Sequence, residues 1–116
     1  MTQLDDTSHT SHEASGRDLA EVPAVEVVTT VAVHMMTAAA VKCGLSDEPN
    51  AEDQVDLAEA RILISALAGL ISESTLYLGN AHAAPLRDGL KSLQAAFREA
   101  SEIPDAPGEG PGEKRA

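Results

Sequence analysis

Residues 22–45 are apolar around almost the whole circumference of the helix that they predict. A helix with so thin a polar side has to bury most of its surface. The chain has 116 residues and is too short to bury this helix comfortably alone. The segment therefore predicts self-association. The polar side chains fall mainly on one stripe, at spacings of four, four and three positions: Glu26, Thr30, His34 and Thr37.

The first predicted helix runs from about residue 23 to residue 43. Pro23 suits a first helical turn, where its missing N–H group would be unpaired anyway. Gly44 suits the position after the helix end, where a left-handed backbone is needed. The valines of residues 25–33 also fit a β-strand. Strict alternation is absent, however, and the run continues into alanines, so we expect a helix.

Two further helices complete the predicted fold. The second runs from about 51 to 78, has two apolar faces, and ends at Gly79. The third runs from about 85 to 102, and Gly89 in its middle indicates a close contact with the backbone. We expect an all-α, three-helix unit over residues 22–103 that is completed by homo-oligomerisation, most simply as a two-fold dimer. The third helix has one apolar stripe: Leu86, Leu90, Leu93, Phe97 and Ala100.

Both ends of the chain have the composition of disordered tails. Residues 1–21 are acidic and rich in Ser, Thr and His, and residues 104–116 are dominated by Pro, Gly and charge. The whole chain has a net charge of −11 and almost no aromatic residues. Binding to nucleic acid needs clustered basic residues and often aromatic stacking, so we expect no direct nucleic-acid partner.

The expected location is the cytoplasm. Cys43 is the only cysteine, so no internal disulfide is possible, and the N-terminus lacks the basic region of a signal peptide. The first helix is long enough to span a membrane. Glu26, His34 and three threonines lower its hydrophobicity, so we expect no membrane contact.

Six carboxylates lie within 13 residues, in the predicted connection between the first two helices and the beginning of the second helix. Acids at the start of a helix complement its dipole, which explains part of the pattern without a binding role. The alternative is a surface that docks a basic protein partner. A calcium loop is excluded because the required Asp and Gly spacing is missing. The candidate partner-binding residues are Asp47, Glu48, Glu52, Asp53, Asp56 and Glu59.

The surplus apolar surface of the first two helices predicts an oligomer interface. Arg61 lies among apolar neighbours and is the best candidate for a structural or interfacial ion pair, with Asp56, with Glu59 or with an acid on another helix. The candidate interface residues are Val28, Met35, Ala39, Arg61, Ile62 and Leu70.

The sequence offers little that favours catalysis. Glu26 and His34 share a helical face, but no further ligand follows at metal spacing, so a hydrogen-bonded histidine is the simpler interpretation. Cys43 lies at a helix C-terminus, whose dipole disfavours a thiolate. His9 and His12 lie in a polar tail and are expected to be solvated. We predict no enzyme, no metal and no cofactor.

The pieces taken together resemble a known bacterial family. Cys43-Gly44-Leu45 ends the first helix, a short acidic link follows, and Gly79-Asn80 separates the later helices. These features resemble domain of unknown function 1844. The strings AEVPAVEVVTTVAVHMMTAAAVKCGL and PLRDGLKSLQAAFREASEIPD resemble its actinobacterial branch. The resemblance implies a small cytoplasmic helical protein without an assigned activity, encoded near translation initiation factor three and two large-subunit ribosomal proteins.

Two functional hypotheses follow. The first is a homodimeric interaction module that binds a basic protein partner, such as a translation factor or a ribosomal protein. The alternative is a structural or regulatory homo-oligomer with a small apolar ligand between its helices, in a pocket lined by Met35, Met36 and Leu70.

Overall fold

The structure is a computed structural model that describes residues 19–115 of the chain. Three long helices pack against one another, and no strand occurs in this range. The predicted all-α class with three helices is confirmed. The helices are α1 (Ala24–Lys42), α2 (Leu57–Leu78) and α3 (Asn80–Ala100), with short 3-10 turns at Ala51–Gln54 and Glu113–Arg115.

The end of α1 is set by a glycine. Gly44 has a φ of 88°, and its N–H donates to the carbonyl oxygen of Val41 at 3.0 Å. The N–H of Leu45 reaches back to the carbonyl oxygen of Ala40 at 2.9 Å. These two bonds satisfy carbonyl groups that the helix leaves free, and they form the Schellman arrangement. The predicted stop at Gly44 is confirmed.

α2 begins later than the sequence predicts. Residues from 51 onward first form the short 3-10 turn, and α2 starts at Leu57. The reason is Asp56, whose side chain accepts a hydrogen bond from the N–H of Glu59 at 3.2 Å and so caps the helix. The N–H of Asp56 donates to the carbonyl oxygen of Lys42 at 2.9 Å, which ties this start to the end of α1.

A single residue connects α2 to α3. Gly79 has φ 78° and ψ 159°, so it ends one helix and precedes the next. α3 therefore begins at Asn80, five residues before the predicted start at Pro85. Pro85 lies inside α3 and has no N–H group, so the carbonyl oxygen of Ala81 loses its partner in the helix. Both residues are exposed, so water can bond to this carbonyl.

The core lies between the three helices and is built from apolar side chains. α2 supplies the largest fully buried ones, Ile64 and Leu67. The buried residues of α1 are Ala32 and Ala39, which we call the alanine seam, and larger side chains of α1 such as Met35 and Met36 are partly buried against the core. Small side chains let α1 approach closely, but they cover little of its surface. The predicted stripe of α3 is buried at Leu86, Leu90, Leu93 and Phe97.

The C-terminal segment has defined contacts where the sequence predicts a disordered tail over 104–116. Pro111 is buried, and its carbonyl oxygen accepts a hydrogen bond from the Nε2 of Gln94 at 3.0 Å. Gly112 packs against Ala68 with no room for a Cβ. The described part of this segment therefore runs back along α2 and α3. Of the predicted N-terminal tail, residues 1–18 lie outside the described residues, and residues 19–21 are helical.

Candidate interaction surfaces

The side of α1 opposite the alanine seam is exposed at most positions, and Val27, Ala38 and Val41 on it are half-buried. At 100° per residue, the polar stripe identified in the sequence runs along the middle of this side. Val31 and Val33 flank it and are 46% and 48% exposed. Only two of the 19 residues of α1 are buried, so the burial that the sequence predicts is not achieved within one copy. We define the outer face of α1 as Glu26, Val27, Thr30, Val31, Val33, His34, Thr37, Ala38 and Val41.

The N-terminal half of the outer face borders an open groove of about 550 Å³. Its lining is mostly apolar, and Glu26 and Thr30 are its polar members. The apolar lining consists of Leu19, Val22, Val27 and Val31.

The residues predicted for an oligomer interface are split between the core and the surface. Ala39 has no exposed surface, because it belongs to the alanine seam and packs within the same copy. Val28, Met35 and Leu70 are half-buried against the core. Ile62 is 62% exposed and remains available for contact. Val31 and Val33 of α1 are also exposed and were not among the predicted interface residues.

Arg61 forms a structural contact with the C-terminal segment. Its Nη2 lies 2.9 Å from the Oδ2 of Asp105, and its guanidinium carbon lies 5.0 Å from the centre of the Phe97 ring. The predicted ion pair therefore exists, but its partner is neither Asp56 nor Glu59. Arg98 donates to the carbonyl oxygen of Asp105 at 2.8 Å, which fixes the same point of the segment.

All six predicted partner-binding carboxylates are exposed. We call them the acidic edge: Asp47, Glu48, Glu52, Asp53, Asp56 and Glu59. Asp56 serves as the cap of α2. The ion pairs found among the described residues, Arg61–Asp105 and Lys114–Glu109, involve none of the six. Four of the other five carboxylates therefore face solvent from the connection between α1 and α2, and Glu59 does so from the first turn of α2.

The residues with potential for chemistry are not assembled into a reactive site. Glu26 and His34 are exposed on the outer face of α1. Burial raises the pKa of the Cys43 thiol, which keeps it protonated and fits its role as a small core residue. The described residues contain no group of three or more His, Cys, Asp or Glu side chains placed to hold a metal. His9 and His12 lie outside the described residues.

The predicted ligand pocket between the helices is occupied by protein. The side chain of Met36 lies over Gly89 of α3, with its Sδ 3.3 Å from where a Cβ would stand. The close contact expected at Gly89 is thus made by this methionine. Met35, Met36 and Leu70 all pack against the core, and the grooves found on the surface have other linings.

α1 and α2 are each long and apolar enough to cross a membrane, judged by length and composition alone. Core helices of soluble proteins and N-terminal signal sequences pass the same test. This property therefore assigns no location.

Comparison with known proteins gives one family. No curated protein matches the chain, and no solved structure does. The family model described as a domain of unknown function (DUF1844) matches residues 24–99. This range begins at the first residue of α1 and covers almost all of α3, and the C-terminal segment lies outside it. Because the match covers well over half of the chain, this protein belongs to the DUF1844 family.

Proposed function

We propose that this protein is a non-catalytic interaction module of the cytoplasm, which forms a homodimer and binds a basic protein partner. One observation carries the proposal: an apolar helix, α1, has only two of its 19 residues buried. Exposed apolar surface of this kind is costly in water and commonly marks a protein contact. Self-association covers such a surface without requiring any other molecule.

The acidic edge supports the second half of the proposal. Asp56 ties the edge to both α1 and α2, so the carboxylates are presented from an ordered connection. The net charge of −11 adds a long-range attraction for a basic surface. The resemblance stated above suggests translation initiation factor three or a large-subunit ribosomal protein as the first partners to test.

The dimer is tested by the light-scattering mass of the full chain across a dilution series. We expect a dimer whose mass changes little between ~0.05 M and ~1 M salt, because apolar contacts are not screened by ions. A folded monomer at every concentration would refute the dimer.

The partner is tested by fluorescence anisotropy with labelled, purified translation initiation factor three. The test variant combines Glu48→Lys, Glu52→Lys and Asp53→Lys, which leaves the Asp56 cap intact. A matched control makes the same charge change at three acids outside the acidic edge. We expect the test variant to lose binding, and wild-type binding to weaken steeply with salt. Equal losses in both variants, or binding insensitive to salt, would refute a role for the acidic edge. The control substitutions are Asp88→Lys, Glu99→Lys and Glu102→Lys.

A further inference from the structure

We propose that two copies of this chain join through the outer faces of α1 in an antiparallel pair, with the two-fold axis at Thr30. In this arrangement Glu26 of each copy lies beside the partner's His34. The inference rests on the homodimer proposed above and specifies its interface. Three properties of the outer face support this pairing: the position of its polar residues, the order of its charged residues, and the difference in shape between its two halves.

The polar residues occupy the centre of the face that needs a partner. Glu26, Thr30 and His34 are all exposed, and they lie opposite the alanine seam. Glu26 and His34 are each four residues, or about 6 Å along the helix axis, from Thr30. A two-fold axis at Thr30 therefore places both symmetry-related pairs close to the middle of the contact.

The order of the charges favours the antiparallel direction. Two parallel copies would bring each Glu26 against its own equivalent, which is unfavourable. Antiparallel copies bring an acid beside an imidazole twice.

The two halves of the outer face are complementary in shape. The N-terminal half borders the groove lined by Leu19, Val22, Val27 and Val31. The C-terminal half presents Ala38 and Val41, which are small enough to enter a shallow groove. An antiparallel pair centred on Thr30 brings the N-terminal half of one outer face against the C-terminal half of the other. The C-terminal half of each copy therefore lies over the groove of its partner.

A second copy suits this face better than a lipid bilayer does. Glu26, Thr30, His34 and Thr37 lie along its centre and would enter the hydrocarbon if this face bound lipid, where polar and charged groups are costly. In the dimer each of these groups meets another polar group or the edge of the interface.

Disulfide trapping tests the register. The background is Cys43→Ala, which removes the native thiol. Thr30→Cys places the new thiols at the axis, where a symmetric disulfide can form. Thr37→Cys is the matched control, because its two copies would lie ~21 Å apart along the helices. We expect a covalent dimer from Thr30→Cys on a non-reducing gel and none from Thr37→Cys.

Charge exchange tests the two contacts between Glu26 and the partner's His34. His34→Glu places two acids together, and Glu26→Lys replaces the acid beside the imidazole with a lysine, so we expect each to raise the dimer dissociation constant by ~10-fold over the two symmetric contacts. The double variant restores opposite charges, and we expect it to return within ~3-fold of wild type. Asp88→Lys on α3 is the matched control and should leave the constant unchanged. Circular dichroism checks that each variant is folded, which we expect because the substituted residues are exposed.

The outcomes separate this interface from the broader proposal. A monomeric wild type would overturn both the interface and the homodimer. A dimeric wild type with no trapping at Thr30, with equal trapping at Thr37, or without rescue in the double variant would overturn the interface alone. A wild-type chain that is monomeric and floats with vesicles of phosphatidylcholine and phosphatidylglycerol would show that the outer face binds lipid instead.

Discussion

Replacing Arg61 with alanine removes two contacts at once. The ion pair with Asp105 joins side chains that are 47% and 29% exposed, so solvent screens it, and it contributes about 0.2–1 kcal/mol. The guanidinium over Phe97, 5.0 Å from the ring centre, contributes about 0.5–1 kcal/mol. We expect Arg61→Ala to lower the free energy of unfolding by about 0.7–2 kcal/mol, which is the sum of the two contributions. Arg61→Lys should recover part of the ion pair and little of the contact with the ring.

The assay is urea unfolding followed by circular dichroism at one fixed protein concentration, because dimer formation would make stability depend on concentration. With a slope near ~1 kcal/mol per molar urea, the midpoint for Arg61→Ala should fall by ~1 M. A double-mutant cycle with Asp105→Ala isolates the ion pair. We expect a coupling energy of about 0.5 kcal/mol that shrinks in ~1 M salt.

Two results would refute this reasoning. A coupling energy of zero between Arg61 and Asp105 would mean that the C-terminal segment does not dock through this pair in solution. A loss above ~3 kcal/mol would mean that Arg61 acts as a buried charge, against its exposure in the structure.

Four other substitutions or conditions give sharp expectations. Leu67→Ala should lower the unfolding free energy by about 2–5 kcal/mol in urea titrations, since Leu67 is fully buried. Asp56→Ala should cost about 1 kcal/mol in the same assay by removing the cap of α2. Gly112→Ala should speed amide hydrogen exchange in the C-terminal segment, because a Cβ there meets Ala68. Because burial raises the pKa of Cys43, folding favours the neutral thiol; stability from this group should hold below the ordinary thiol pKa and fall as pH rises through the folded value. Cys43→Ala should lack that alkaline decline in a pH series of urea midpoints.

The helix that the sequence predicts best is α3, and the reason is geometric. Its apolar residues form one stripe, so only one side can face the core, and Leu86, Leu90, Leu93 and Phe97 are all buried there. α1 has apolar residues on every side, and periodicity then gives no direction. Close approach through Ala32 and Ala39 decides its orientation, which leaves larger valines outside.

Tertiary contacts explain what the sequence could not indicate. Arg61 is recognisable as an ion-pair candidate, but Asp105 lies 44 residues away in a segment whose Pro and Gly content suggests disorder. That segment docks partly through the carbonyl oxygens of Asp105 and Pro111. Because every residue has a backbone carbonyl, the sequence does not indicate which ones accept such bonds. The starts of α2 and α3 differ from the predicted ones because Asp56 caps α2 and because Gly79 directly precedes Asn80, the first residue of α3.

The one-residue connection at Gly79 also orders events during synthesis. α2 and α3 are neighbours along the chain and can pair as soon as both have left the ribosome, and α1, which packs against both helices, completes its contacts only once α3 has been made. Ribosomes add ~5–20 residues per second, so the ~60 residues from Lys42 to Ala100 take ~3–12 s to make. During those seconds the contacts between α1 and α3 are not yet made. A newly made chain therefore exposes more of the apolar surface of α1 than the folded chain does.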